Sequence, residues 1–518
     1  MLRRFMVPLL ALALPGTVHA EDAVAYVPPD FLSATPPLPS TIDASTAWRL
    51  DLGETLQLAV KQNLNVTLER KATLIADLGI TVARGLFEPT LDASYAHTNS
   101  RIPPADLNQS MDPDAILRQT HDQWRLALSQ RLVTGTQLST EFTNFRTRSM
   151  AEDAFGLTYR SSLGVTVTQP LLRGFSTDLV MPRYTVMQAR FGSEREKRQL
   201  EVVVAEVVER TEAAYWDVVQ AMFRYDLDRR SHKRAEEQLQ LTRRQIDSGV
   251  LPPSDVISAE STLAQRQLQL VQAEERIAAA WDLLRGIINL PREQWTRPIL
   301  PVDVPRFEPR PTSTDDAMTT ALANRPELAQ IALELQAQAL SVRKAENDKL
   351  PQLDLGLSGS VVGQDDRYGS TLDRLSSFEG PSWSILLNFT WTPLRRATKA
   401  AAEIERVRHE TVVTRRQQVV QEVWLEVRNA VRNQQSAARQ VAAAARFREL
   451  SEKSLDVEQR KFLNGTSSNF IVAQRQEELA AAQLSELTAV LEHTKAEIRL
   501  ARATGTLLAD RHIELGVK

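Results

Sequence analysis

The hydrophobic positions of this chain change period along its length, and the changes mark out its elements. From Thr392-Pro393-Leu394 to about Gly465 there is no internal proline or glycine. An unbroken helix over that stretch would reach about 100 Å at 1.5 Å per residue, which makes it a rod. Val420, Val423, Val427 and Val431, then Val441, Ala444, Phe447 and Leu450, recur at steps of three and four, with Arg, Glu and Gln between them. So narrow an apolar seam is what helices use to pack lengthwise, as in coiled coils. A second run continues to Gly505.

Upstream the period alternates between helix and strand. Leu56, Val60, Leu64 and Leu68 predict one helix over 51–85, opened by Asp51 and Glu54 and ended by Glu88-Pro89. Between Pro89 and Pro170 the period falls to two: Leu91, Ala93, Tyr95; Trp124, Leu126, Leu128; Leu138, Thr140, Phe142; and Leu163, Val165, Val167 alternate with polar residues. Four strands are predicted, with 124–132 and 137–146 forming a hairpin whose tight turn uses Gly135. The segments 99–121 and 147–156 read as longer loops. Apolar residues on one face and Ser, Thr, Arg or Gln on the other suit a barrel with lipid outside and water inside, although a half-buried sheet alternates in the same way. A helix then runs from about Thr177 to Gln245, with Leu200, Val203, Val207, Ala214, Val218 and Ala221 on one side. Gly249 to Pro253 breaks it, and Ser254 or Asp255 caps a returning helix to about Leu290.

The organisation then repeats. Residues 291–313 hold six prolines and join two halves. Leu56, Val60, Pro89, Leu91 and Asp92 correspond to Met318, Leu322, Pro351, Leu353 and Asp354 at a constant offset (354 − 92 = 262). The first repeat spans 51–290, with strands over 89–170 and a helical hairpin over 176–290. The second spans 314–506, with a helix over 314–348, strands over 352–392 and a hairpin over 394–505; a tail, 507–518, follows. The fold class is therefore mostly α with a β portion, in duplicated helix-strand-strand-helix halves.

Composition narrows the setting. Arg3 and Arg4, an apolar run from Phe5 to Leu14 and Val18-His19-Ala20 have the layout of a secretory signal over 1–20, followed by an extended Pro-rich segment over 21–50. The formal net charge of −3, with no strongly basic half, gives no reason to expect nucleic acid. Without cysteine there is no disulfide, no thiolate metal site and no N-terminal lipid-anchor cysteine. No apolar run is long enough for a spanning helix, so any spanning part must be a β-barrel. The seven histidines never pair at metal-ligand spacing, and neither a phosphate-cradling glycine loop nor a Gly-x-Ser-x-Gly elbow occurs. The acidic pairs Asp315-Asp316 and Asp365-Asp366 fall at a helix start and in a loop. No enzyme, metal or cofactor is expected.

The paired halves carry a resemblance, together with Gln169-Pro170-Leu171-Leu172-Arg173-Gly174, Ala214-Tyr215-Trp216-Asp217, and the tips Arg244 to Gly249 and Arg460 to Gly465 followed by Asn469-Phe470. Over about residues 50–506 the chain resembles the TolC family of outer-membrane efflux proteins. The resemblance implies a homotrimer in the outer membrane of a Gram-negative-type cell. Its strands would share one barrel in outer-membrane lipid, and its coiled-coil hairpins would form an α-barrel tunnel across the periplasm. A periplasmic adaptor and an inner-membrane pump are the implied partners, and export through a passive channel is the implied function. Docking would fall on the tips, Gly249, Val250, Ser254 and Asp255 with Gly465, Thr466, Ser467 and Asn469. Asp255, Asn469 and Gln474 would line a periplasmic aperture, and Gln169, Pro170, Gly174 and Pro393 would turn strand into helix. One departure is the extra strand pair around Val133-Thr134-Gly135-Thr136, which makes eighteen strands per trimer instead of twelve unless that hairpin lies outside the wall. The alternative function is a periplasmic or envelope coiled-coil scaffold or adhesion protein.

Overall fold

The computed structural model describes residues 47–102, 117–151, 154–248, 252–308, 312–464 and 466–514. The segment 1–46, which includes the expected signal and most of the expected Pro-rich leader, lies outside them. In the first half β1 (Trp48–Leu50), α1 (Leu52–Gln62) and α2 (Leu64–Arg84) precede β2 (Thr90–Ile102), β3 (Leu117–Arg131), β4 (Gln137–Ala151) and β5 (Ala154–Pro170). The hairpin α3 (Tyr184–Asp247) and α4 (Asp255–Ile287) follows, then β6 (Ile299–Pro301) in the linker. The second half runs α5 (Thr314–Asn324), α6 (Pro326–Asp348), β7 (Gln352–Asp365), α7 (Tyr368–Ser376) and β8 (Ser382–Thr390). It closes with the hairpin α8 (Arg396–Leu463) and α9 (Asn469–Thr504), and α10 (Leu507–Asp510).

The two helices expected to be continuous, 51–85 and 314–348, are each broken, at positions separated by the repeat offset. Asn63 leaves the helical region, and its side chain accepts from the Asn65 and Val66 amides to cap α2. Arg325 leaves it because Pro326, at the first position of α6, disfavours helical backbone in the residue before it. Each break residue reaches the end of the returning helix of its own half: Asn63 Nδ2 donates to the Ile287 carbonyl at 2.7 Å, and Arg325 Nη1 to that of Ala503 at 3.2 Å. The break resets the helical phase. Leu64 and Leu68, expected on the buried side, are exposed, and Val66 is buried instead.

The long helices pack along their seams. Val423, Val427, Val431, Val441 and Ala444 are buried in α8, but Phe447 and Leu450 stand 43% and 50% exposed, contrary to the seam read from spacing. Towards the tip Leu455 takes over, packing with Val472, Leu479 and Phe462. The first hairpin begins at Tyr184, not near Thr177, because turns through Pro182 come first. Its core holds Tyr215, Met222, Phe223 and Tyr225, and burying Met222 and Phe223 stabilises by about 1.5–3 kcal/mol each.

A parallel pair absent from the periodicity, β1 with β6, ties the segment entering the first repeat to the linker. Tyr215, from the Ala214-Tyr215-Trp216-Asp217 stretch, secures it: its hydroxyl donates to Asp303 Oδ2 at 2.7 Å and lies 3.1 Å from the Leu50 carbonyl. Burial, then the Asp303 hydrogen bond, push the Tyr215 phenol well above its usual range. Lys495 on α9 meets Asp217 at 2.6 Å.

Six strands form one antiparallel sheet in the order β2-β3-β4-β5-β7-β8. The extra pair β3–β4 thus belongs to the same sheet as the other four strands. The segment 147–156 is not the long loop expected, since β4 runs to Ala151 and β5 starts at Ala154, its register partner.

Candidate functional site

Cross-strand rows show what the sheet separates. One face carries the row Leu91, Leu128, Thr140, Val165, Gly359, Trp383 and the row Ala93, Leu126, Phe142, Leu163, Val361. Its lower end adds Ile385, Leu387 and Phe389, all exposed. The opposite face carries a row made only of hydroxyl residues, Thr90, Ser129, Ser139, Thr166, Ser358 and Ser384. On that polar face Arg125 pairs with Glu141 at 2.6 Å. Apolar side chains exposed over a tall band, backed by a polar face, suit hydrocarbon on one side and water on the other. The outermost strands, β2 and β8, each have one edge unpaired among the described residues of the protomer.

Where the sheet meets the helices, the expected turn residues come together. Pro170 ends β5 opposite Asp354. Gln169 accepts from the Thr136 hydroxyl at 2.5 Å and donates to the Pro170 carbonyl at 2.8 Å. Gly174 adopts φ +83°, a conformation natural to glycine, and its amide donates to Asn347 Oδ1 at 2.7 Å. Pro393 lies in the corresponding bend of the second half, just before Arg395 at φ 46°. Spacing alone did not single out Asn347, which also donates to the Phe175 carbonyl at 3.2 Å and so fastens one half's turn to the other half's helix. The signal available was an amide residue shortly before the strand-opening Pro351.

At the far end, Gly249, Val250 and Gly465 lie outside the described residues. Ser254 takes the cap position of α4 but makes no side-chain hydrogen bond to the helix, contrary to the capping role expected of it. Asp255 stands half-buried in the first turn, where its charge faces the positive end of the helix. Thr466 bonds back to the Lys461 carbonyl through its amide at 3.0 Å, and the Ser467 hydroxyl donates to Glu458 at 2.5 Å. That hydrogen bond, with the Lys461 ammonium nearby, holds the Glu458 carboxyl below the usual range. Asn469 opens α9, and Gln474 is exposed further along it. The two hairpins are tied by Arg266 on α4 and Glu477 on α9 at 3.6 Å. Among the described residues no group of three or more His, Asp or Glu could hold a metal ion, and no helix is long and apolar enough to cross a membrane.

Residues 135–290 and 317–506 match the family described as outer membrane efflux protein. The chain is similar to the outer membrane efflux protein BepC of Brucella suis, 23% identical over 461 residues, covering 88% of this chain and 85% of BepC. It is also similar to the alkaline protease secretion protein AprF of Pseudomonas aeruginosa, 28% identical over 191 residues, covering 36% and 38% of the two chains. Among solved structures, the Campylobacter jejuni CmeC outer membrane channel superposes with a TM-score of 0.62 at 14% identity, covering 88% of this chain and 86% of CmeC. The open state of the Neisseria gonorrhoeae MtrE outer membrane channel gives 0.60 at 17%, covering 88% and 89%. At these identities the structural likeness speaks for the fold.

Proposed function

The chain belongs to the outer membrane efflux protein family, and on that premise we propose that three copies form one passive conduit through the outer membrane and periplasm. The observation that carries this reading is the six-stranded sheet, apolar on one face, polar on the other and open at both edges. Unpaired backbone in hydrocarbon costs several kcal/mol per group, so β8 of one copy must meet β2 of the next until the ring closes. The inserted hairpin then makes eighteen strands, and a bore about half as wide again as twelve would give.

The helices support the same assembly. α2 leaves Leu64, Leu68, Ile75, Leu78 and Val82 exposed at helical spacing, and α8 leaves Ile404 and Val407 exposed. An apolar stripe of that length marks a surface to be covered. A second copy covers it, and Phe447 and Leu450 belong to the same contact. Long hairpins side by side enclose a tunnel in the periplasm. Its tips, Ser254 and Asp255 with Thr466, Ser467 and Asn469, dock a periplasmic adaptor that links the conduit to an inner-membrane pump. Asp255, Asn469 and Gln474 narrow the mouth, with three Asp255 carboxylates drawn toward one axis and favouring cations. The conduit itself does no chemistry.

The test is direct. Outer-membrane fractions should yield a heat-modifiable trimer that opens steady channels in planar bilayers. A monomer, or a trimer without conductance, would contradict the reading.

A further inference from the structure

The apolar face of the sheet changes character at its outer end. Beyond the row Tyr95, Trp124, Asn144, Ser161 comes the row His97, Asp122, Arg146, Tyr159, and Arg148 and Arg101 follow on the same face. Both of these arginines are exposed. Helix α7 folds back onto this face. Gly363 has no room for a side chain, because a Cβ there would run into the Thr371 carbonyl. Arg374 fixes the helix, donating to the Gln364 carbonyl at 3.1 Å and pairing with Asp365 at 2.9 Å. Between α7 and the wall lies a cleft of about 400 Å³. Trp124, Phe142, Tyr159 and Tyr368 wall it, and Asn144 and Arg146 supply its polar groups.

One atom in each of these two groups lacks a partner among the described residues. Asn144 is 2% exposed, its amide nitrogen donates to Ser161, and its Oδ1 accepts from none of the described residues. Arg146 Nε is likewise buried without an acceptor. The neighbouring Asp122 is already engaged by the Tyr95 hydroxyl at 2.9 Å, by His97 at 2.7 Å and by Arg146 Nη1 at 3.6 Å.

Resting on the reading of this face as lipid-facing, we propose that the cleft holds a phosphorylated, acylated sugar lipid of the outer leaflet. An acyl chain lies among Trp124, Phe142, Tyr159 and Tyr368, as alkyl groups do in aromatic-lined pockets. The phosphate meets the guanidinium groups of Arg146 and Arg148, whose fork matches its oxygens. A sugar hydroxyl or amide N–H satisfies Asn144 Oδ1, which a choline phospholipid, having no donor, does not.

Trimers purified from outer membranes in neutral detergent are incubated with lipid A, and bound lipid is counted by native mass spectrometry. Wild type retains lipid A, Arg146→Gln/Arg148→Gln loses at least tenfold in affinity, and Arg160→Gln on the polar face changes nothing. Tyr368→Ala, which leaves both arginines in place, also weakens retention. Binding by the double variant equal to wild type, equal binding of phosphatidylcholine, or displacement of the lipid by inorganic phosphate would each overturn the site. Every arm uses assembled trimers, so a failure here leaves the conduit reading standing, whereas the absence of trimers would count against that reading alone.

Discussion

Gly135 faces Pro182 so closely that a Cβ on the glycine would sit 3.2 Å from the proline ring. The contact seats the turn of the inserted β3–β4 hairpin against the segment that enters α3. Gly135 also holds φ +89°, which a side chain tolerates poorly. Gly135→Ala should therefore cost about 1–3 kcal/mol. Thr136→Val, which removes the bond to Gln169, should cost about 1 kcal/mol. Melting of the purified trimer measures both, and an alanine variant as stable as wild type would show that the turn is not seated there.

Glycines elsewhere predict opposite signs. Gly505 holds φ +75° at the end of α9, and a Cβ there would lie 2.9 Å from the backbone of Asn324. Gly192, inside α3, has open space around it. Gly505→Ala should destabilise by more than about 1 kcal/mol, while Gly192→Ala should stabilise by about 0.5–1 kcal/mol. Chemical denaturation of both variants decides, and a shift in the same direction for both would contradict the packing described.

His493 sets an acid limit. It is fully buried on α9 against Phe307, its ring nitrogens have no hydrogen-bond partner among the described residues, and burial depresses its pKa below the usual value. Between the folded and unfolded pKa values the unfolded chain binds the extra proton, so this group's contribution to stability is present above about pH 6.5 and is lost as pH falls. His493→Leu should gain in melting temperature relative to wild type on going from pH 7.5 to pH 5. An equal difference at the two pH values would rule out the buried neutral imidazole as the cause.

The tips should matter to export more than to assembly. Ser254 is exposed beside α4, and Ser467 holds Glu458 beside α9. Tryptophan at either position should abolish export of the conduit's cargo from cells while leaving heat-modifiable trimers in the outer membrane. Normal export by both variants would argue against docking at these ends.

Much of the architecture was legible because it repeats a simple period over many residues. The alternation through Trp124, Leu126 and Leu128 located β3, and long runs free of proline located α3 and α8. What escaped was set by single contacts. Asn63 breaks a helix without glycine or proline, through its own side chain, and Pro326 does so through one neighbour's backbone. The β1–β6 pair is three residues wide, too short for a period, and depends on Tyr215 reaching Leu50 and Asp303. Residue types marked the bends between the long helices and the strand-to-helix turns. The Asn347 tie and the fold-back of α7 depend on segments far apart in sequence or on one glycine contact, which no local pattern records.

Electron cryomicroscopy of the protein extracted from outer membranes tests the central claim most directly, because it counts strands and copies in one map. The account predicts three-fold symmetry, eighteen strands in one closed barrel with β8 of each copy paired to β2 of the next, and a hollow helical tunnel continuous with it. A different number of copies, a twelve-stranded barrel with the β3–β4 hairpin outside the wall, or edges left unpaired would contradict it.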